Sequence, residues 1–305
     1  MSDEEALRTF KDIRWSDNGG NPYCPRCGCA KVYARKSKPL WECSACGHVF
    51  SVTSGTIFSG RKLALRDYLM AIAIFVNGAK GHSALQLSRD LNVQYKTAFV
   101  LAHKLREAIG GSVVGYKVGG EGKSVEIDGA YFGGHVRPAN FKENRRDRRL
   151  AINQTGKRRV VVIMRERAGR TLPFVFKTED QAVPMIHHHV ADGSTIHADE
   201  ASHWDQLHAR LLVKRINHSL VYSDGEACTN QAESFFSRLR RAEIGIHHHV
   251  AGAYLNAYAD EMAWREDNRR ISNGQQYLAI INAASKHPVS QQWCGYWQRS
   301  MKNGE

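Results

Sequence analysis

The chain has 305 residues, with 43 Lys and Arg against 30 Asp and Glu, a formal net charge of +13. At about 100–200 residues per domain this is about two domains, and 42% hydrophobic with 24% charged residues excludes a chain disordered throughout. There is no apolar run of about 18 residues, so no membrane helix is expected. The acidic start, MSDEEALRTFKDIRW, lacks an apolar secretory core, so a cytoplasmic protein is expected. The positive excess favours a polyanionic partner.

In chain order, the first signal is cysteine spacing. Cys24 and Cys27 form C-P-R-C, Cys43 and Cys46 form C-S-A-C, and 15 residues separate the pairs. C-x2-C-x15-C-x2-C is zinc-ribbon spacing, in which each pair bends into a knuckle that aims two thiolates at one ion. Gly28 and Gly47 follow the pairs and permit the open backbone such knuckles need. The stretch between reads as a short hairpin, with tetrahedral Zn2+ in place of a core too small to stand alone. Two disulfides are the alternative, disfavoured because nothing points to export. Cys29 and His48 read as bystanders, and the isolated Cys228 and Cys294 as buried small side chains. A ribbon can bind DNA, bind protein or brace its neighbours. Arg26, Lys31, Arg35, Lys36 and Lys38 tilt this one, with its N-terminal extension over 1–60, towards DNA.

Residues 63–76, LALRDYLMAIAIFV, predict a mostly buried helix. Ser83 is a plausible N-cap for a short helix ending near Leu91, Asn92-Val93 makes the break, and Gln94 to Ile109 continues with Ala98, Leu101, Leu105 and Ile109 on one stripe. Helix, short turn and longer helix over 61–110 match a helix-turn-helix, although an ordinary helical hairpin has the same pattern. Gln94, Tyr95, Lys96 and Thr97 open the second helix, where base contacts are made. Glycine then thickens over 111–123, which reads as a linker.

Beyond it, 124–132, 158–167 and 171–177 predict three strands, followed by a helix near 179–191. STIHADEASHW reads as a strand ending at an acid with a helix after it, 211–217 as a fifth strand, and the chain from Thr229 as helical. The order is that of a mixed α/β domain, here 124–272, with a tail over 273–305. It is also the order of a ribonuclease-H-like fold, used as an analogy. Asp128 in the first strand, Asp199 at the end of the fourth and Glu233 in the first turns of the following helix lie 71 and 34 residues apart. If the fold brings them together, such carboxylates hold two Mg2+ ions and leave positions for water and phosphate. Asn230 and Arg240 share the helix face of Glu233. Glu126, Glu200 and Asp224 occupy similar positions, Glu126 on the same strand face as Asp128, and pattern alone leaves the choice open.

Between Arg137 and Arg159 nine Lys and Arg (Arg137, Lys142, Arg145, Arg146, Arg148, Arg149, Lys157, Arg158, Arg159) face two acids, Glu143 and Asp147. Beside the acids this long hairpin loop reads as a DNA-backbone surface. The triplets His187–His189 and His247–His249 are poor single-ion cages, because consecutive side chains on a helix diverge.

The stretches CPRCGC…WECSACGHVFSVTSGTIF, SALQLSRDLNVQYKTAFVLAHKLREA, VEIDGAYFGG, IHADEASHW, INHSLVY, TNQAESFFSRLRR and HHHVAGAYLNAYADEMAWREDNRR together cover most of residues 20–270. In that order they resemble bacterial insertion-sequence DDE transposases that pair a zinc ribbon with an ISXO-two-like catalytic domain. The resemblance implies Asp128 and Asp199 as the first two catalytic acids, Glu233 as the third with Asn230 as its rival, and Arg240 where the family places a basic partner. It implies Mg2+ or Mn2+ as catalytic ion beside the structural Zn2+. It further implies double-stranded DNA (element ends and target) as partner, a homodimer or larger synaptic complex, and a place on the nucleoid. An inactive DNA-binding descendant and a nuclease that only hydrolyses are the rival readings.

Overall fold

In the computed structural model, which describes residues 1–133, 141–147, 150–153, 156–216 and 228–302, two compact units form, 1–113 with 270–305 and 114–269. The first begins with a helix that the sequence reading did not anticipate, α1 (Asp3–Arg14). Ser2 and Glu5 close a reciprocal capping box at its start, satisfying N–H groups that have no partner within the helix. Its buried face, Ala6 and Phe10, leads to Trp15. The strands β1 (Val32–Ala34), β2 (Leu40–Cys43) and β3 (Val49–Ser51) form an antiparallel sheet in that order. Trp15 meets Trp41 of β2 edge to face at 5.4 Å and packs on Phe50 of β3. Arg14 donates to the carbonyls of Ser51 (3.1 Å), Val52 and Ser54. The ribbon thus has an aromatic core, but one that α1 supplies in part.

The helices α2 (Leu65–Asn77), α3 (Ala84–Asp90) and α4 (Tyr95–Gly111) fall where expected. The Ser83 hydroxyl accepts the Gln86 N–H at the start of α3, and Asn92, at φ 50°, makes the turn into α4. Ala98, Leu101, Leu105 and Ile109 are all buried.

Residues 273–305, read as a tail, carry the helices α8 (Asn273–Lys286) and α9 (Tyr296–Lys302). Ser272 and Gln275 form a second capping box, and Ile280, Ile281 and Ala284 bury one face of α8 against α1, α2 and α4. Trp293 stacks on His103 of α4 with centroids 4.2 Å apart. Cys294, expected to be buried, is exposed: it follows the buried Trp293 on the other side of the turn.

The second unit contains β4 (Val118–Gly119), β5 (Ser124–Phe132), β6 (Arg159–Glu166), β7 (Thr171–Phe176), α5 (Val183–His189), β8 (Val190–Ala191), β9 (Thr195–Asp199), β10 (Leu212–Ile216), α6 (Asn230–Ala242) and α7 (Leu255–Asp267). Its main sheet has the order β10-β9-β5-β6-β7. The meander β5-β6-β7 is antiparallel, and β9 and β10 run parallel to β5. Buried on both faces, β6 is the β-branched run RVVVIMRE, as such a position requires. Phe235, Phe236 and Leu239 of α6 and Leu255, Ala259 and Met262 of α7 cover Ala130 and Phe132 of β5 and Val161 and Ile163 of β6.

Two expected helices are shorter or tighter. Glu179–Ala182 is a 3-10 turn that precedes α5, with Pro184 near the N-terminus of α5, where a missing N–H costs nothing. Ser202–Ala209, after Asp199, is 3-10 throughout. A π turn, Glu243–His247, continues from the end of α6. Arg165 of β6 binds Glu266 (3.3 Å) and Asp267 (2.9 Å) of α7, and Arg238 of α6 also reaches Glu266. Arg165 and Glu266 are both buried, and each keeps a second partner, Asp267 for Arg165 and Arg238 or Arg269 for Glu266.

Because α8 is part of the first unit's core, Ile281→Ala should lower unfolding stability by about 2–5 kcal/mol. Urea unfolding followed by tryptophan fluorescence measures it. A loss below about 0.5 kcal/mol, the usual range for a surface change, would mean that the segment packs loosely.

Candidate functional site

The four cysteines of the ribbon converge from two knuckles built alike. Gly28 N–H donates to Cys24 O at 2.9 Å and Gly47 N–H to Cys43 O at 3.0 Å, with both glycines left-handed at φ 74° and 66°. The pairs close through Cys24 N–H to Cys29 O (2.9 Å) and Cys43 N–H to His48 O (3.0 Å). Cys24 and Cys46 Sγ lie 3.7 Å apart, Cys27 and Cys43 Sγ 3.5 Å, and all four sulfurs fall within 4.8 Å of one another. Tetrahedral Zn–S bonds of about 2.3 Å put sulfurs about 3.8 Å apart, so the donor set and its size fit zinc. Cys29 stands outside it, with Sγ 3.7 Å from Ser44 Oγ.

The acids of the second unit are brought together by strand register. The parallel pairing of β5 with β9 matches Ser124 with Thr195, Val125 with Ile196 and Glu126 with His197. Two residues further, the same offset puts Asp128 level with Asp199, where the pairing of β5 with β9 has ended while β6 still pairs Asp128 and β10 still pairs Asp199. Both side chains are half-buried, Asp128 behind its own Gly129 N–H at 2.7 Å. Burial pushes the Asp128 carboxyl up to about 7, opposed by the Gly129 N–H and reinforced by the charges of Asp199, Glu233 and Glu179. Three carboxylates from three elements therefore stand close enough to act on it.

Glu233 is exposed, one turn into α6, and its N–H donates to Thr229 O. Asn230 opens the same helix. Arg240, two turns on, is exposed and holds its guanidinium 5.8 Å above the Phe132 ring at the end of β5. Among the described residues only the cysteines form a group of three or more ligand-type side chains with all donor atoms within 4.8 Å.

Glu126, which pattern could not separate from Asp128, is fully buried with both oxygens engaged. Oε2 accepts Gln231 N–H (2.9 Å) and Ala232 N–H (3.0 Å), and Oε1 meets Arg167 Nε at 3.0 Å. Cys228, half-buried, receives the same Arg167 on Sγ at 2.8 Å.

Sequence reasoning missed two further groups. The Glu179 carboxylate packs on Gly129 so closely that a Cβ there would sit 2.7 Å from Oε1, and Oε2 is 3.0 Å from His203 Nε2. Burial raises the Glu179 carboxyl; His203 and Arg158 oppose this and Asp199 adds to it. His203 had a legible signal, standing one helical turn after Asp199 in HADEASHW. Glu179 had none beyond following a strand.

Of the basic residues, Arg158 lies over the Tyr131 ring at 4.4 Å and lowers Glu179 by its charge, so it borders the acids. Arg159 turns back onto the carbonyls of Gly156 and Arg158. Lys142, Arg145, Arg146 and Lys157 are exposed. Arg137, Arg148, Arg149, His218 and Asp224 lie outside the described residues. In the first unit, Gln94, Tyr95 and Lys96 are exposed at the start of α4 and Thr97 is half-buried. Lys96 Nζ sits 5.1 Å above the Trp297 ring. His189 bonds Tyr116 O at 2.9 Å, and His247 packs on Tyr258.

Residues 118–267 match the family model of the ISXO2-like transposase domain, and residues 1–49 that of the transposase zinc-ribbon domain. The chain carries the two domains of an insertion-sequence transposase. One relative is an uncharacterized protein in transposable element ISH50 of Halobacterium salinarum. It is 24% identical over 297 residues, spanning 93% of this chain and 97% of that one. The transposase domain takes in Asp128, Asp199, Asn230, Glu233 and Arg240, and the ribbon domain all four cysteines. No described helix is long and apolar enough to cross a membrane.

Two tests follow from this geometry. Cys43→Ser should release zinc, measured by a chromogenic chelator, and unfold the ribbon; a ribbon that stays folded and holds no zinc would refute the metal's structural role. Between the ordinary 3.8 and about 7, the folded chain keeps a proton on Asp128 that the unfolded chain has lost. Folding stability from this group therefore falls as pH rises through that window. In Mg2+-free buffer Asp128→Asn should raise Tm at pH 8, with the gain shrinking towards pH 4. A Tm gain independent of pH would contradict the buried, charge-crowded carboxyl.

Proposed function

We propose that this insertion-sequence transposase binds the terminal inverted repeats of its element and carries out DDE chemistry on their phosphodiesters. The observation that carries the reading is the β5–β9 register, which sets Asp128, midway along β5, level with Asp199 at the end of β9, just past the last residues that the two strands pair. The sheet order, a three-stranded antiparallel meander followed by two parallel strands, supports a ribonuclease-H-like catalytic domain. Asp128 and Asp199 with Glu233 would hold Mg2+ or Mn2+, and hard carboxylate oxygens suit these ions. When bound, two such ions activate an attacking oxygen and stabilise a leaving one.

The chain's own groups do the rest. Asp128 needs to lose its proton to serve as a ligand; burial is the main cause that raises it, and a cation would relieve the added repulsion of Asp199, Glu233 and Glu179. Asn230, one turn before Glu233, is the alternative third ligand. Arg240, on the same face, would pair with a DNA phosphate beside the acids through its planar fork. Arg158 borders them, and Lys142, Arg145, Arg146, Lys157 and Arg159 would add to a basic surface for the DNA backbone, with Arg148 and Arg149 contributing further charge to the same stretch of sequence. In the first unit Gln94, Tyr95, Lys96 and Thr97 would read base edges from the start of α4, with the zinc ribbon as a second DNA-binding module. Water first, and then the freed 3′-OH, would be the nucleophiles, giving hydrolysis at the element's ends and transfer into target DNA. Paired ends call for a homodimer or a larger synaptic complex.

The test is cleavage and joining of end DNA in Mg2+. Asp128→Ala should bind the ends as wild type does and lose both reactions by at least about 1,000-fold, some 4 kcal/mol in the barrier. An active Asp128→Ala would remove this acid from the mechanism. Comparing Glu233→Ala with Asn230→Ala identifies the third ligand by the larger loss. Cleavage without joining would leave a nuclease, and end binding without either reaction a regulator.

A further inference from the structure

The N-terminus of α6 is capped from outside the helix. Its own N-cap residue, Thr229, makes no side-chain cap, and the first-turn N–H groups of Gln231 and Ala232 point instead at the Glu126 carboxylate of β5. Glu126 is 0% exposed. A buried carboxylate without partners is costly. This one is supported by two backbone donors, the positive end of the helix and the Arg167 guanidinium at 3.0 Å. Arg167 also holds Cys228 by its carbonyl (3.0 Å) and Sγ, two residues before α6 begins. β5 carries Asp128 two residues after Glu126, and α6 carries Glu233 one residue after Ala232. The clamp therefore joins the two elements right beside both acids.

We infer that Glu126, locked by Arg167, is a positioning residue that sets the spacing between Asp128 and Glu233, and with it the affinity of the acids for a divalent cation. It binds no ion itself, since both oxygens are taken by the protein. Shortening its side chain by one methylene retracts the carboxylate by one C–C bond, about 1.5 Å, so that it either loses the α6 N–H groups or pulls them with it, and either outcome disturbs the ligand geometry. The inference rests on the reading of Asp128 and Glu233 as metal ligands.

The experiment is Mn2+ binding to the full-length zinc-loaded protein, read by the loss of the free-ion EPR signal at a temperature where near-UV circular dichroism shows each variant folded. Glu126→Asp, which keeps the charge and retracts the carboxylate, should weaken Mn2+ binding about tenfold, as loss of supporting interactions around metal ligands does. A group that served stability alone would lower Tm and leave Mn2+ affinity within twofold of wild type; that result overturns the inference. If Glu126→Asp does not fold, Glu126→Gln takes its place under the same decision, because it keeps the length and removes the charge that holds the helix. Asp128→Ala is measured alongside. Unchanged Mn2+ binding there would refute the metal reading itself, and the positioning role with it. Lost binding in Asp128→Ala with unchanged binding in Glu126→Asp would refute the positioning role alone.

Discussion

Parallel pairing of β5 with β9 is the constraint from which the second unit's arrangement follows. Parallel neighbours keep residues of equal offset side by side, so two acids distant in sequence become level by register rather than by individual contacts. A slip of one residue would turn one of them to the opposite face. What prevents the slip is burial: Ile127, Val125 and Ile196 are enclosed on one side and Ala130 and Phe132 on the other. The hydrophobic core thus fixes the electrostatics of the site without contributing an atom to it.

A crowd of acids at the edge of that core is unfavourable for the fold alone. The structure concentrates like charge at Asp128, Asp199, Glu179 and Glu233, and opposes it at Glu179 with Arg158 and His203. On the same face of the sheet, the Arg165–Glu266–Asp267 network ties α7 to β6. Instability at the acids is offset by order around them, the usual relation between a functional site and its frame.

Much of this was legible in the sequence wherever one periodicity governed a segment. The ribbon cysteines, the α4 stripe and the β-branched β6 were read from spacing alone, because each obeys a single local rule. The choice between Asp128 and Glu126 was not, because the two share a face and differ only in what comes to meet them. A helix from a hundred residues away claims Glu126, and no local pattern carries that information. Glu179 was invisible for the same reason. The C-terminal helices were missed although Ser272 and Gln275 spell a capping box, since the Gly, Gln and Asn of their sequence resemble those of a tail. The same holds for α1, whose acidic first turn reads as a solvated end until Trp15 and Phe10 are seen to be buried.

The return of residues 270–305 to the first unit has a consequence for synthesis. Domains generally fold as units while the chain emerges, N-terminal ones first. Here the order is reversed, because 114–269 is continuous whereas 1–113 waits for α8 to cover α1, α2 and α4. On the ribosome the acid-bearing unit can close while the helices proposed to read DNA are still unfinished. A polypeptide released early would carry the clustered acids on a closed unit beside a first unit whose core is incomplete.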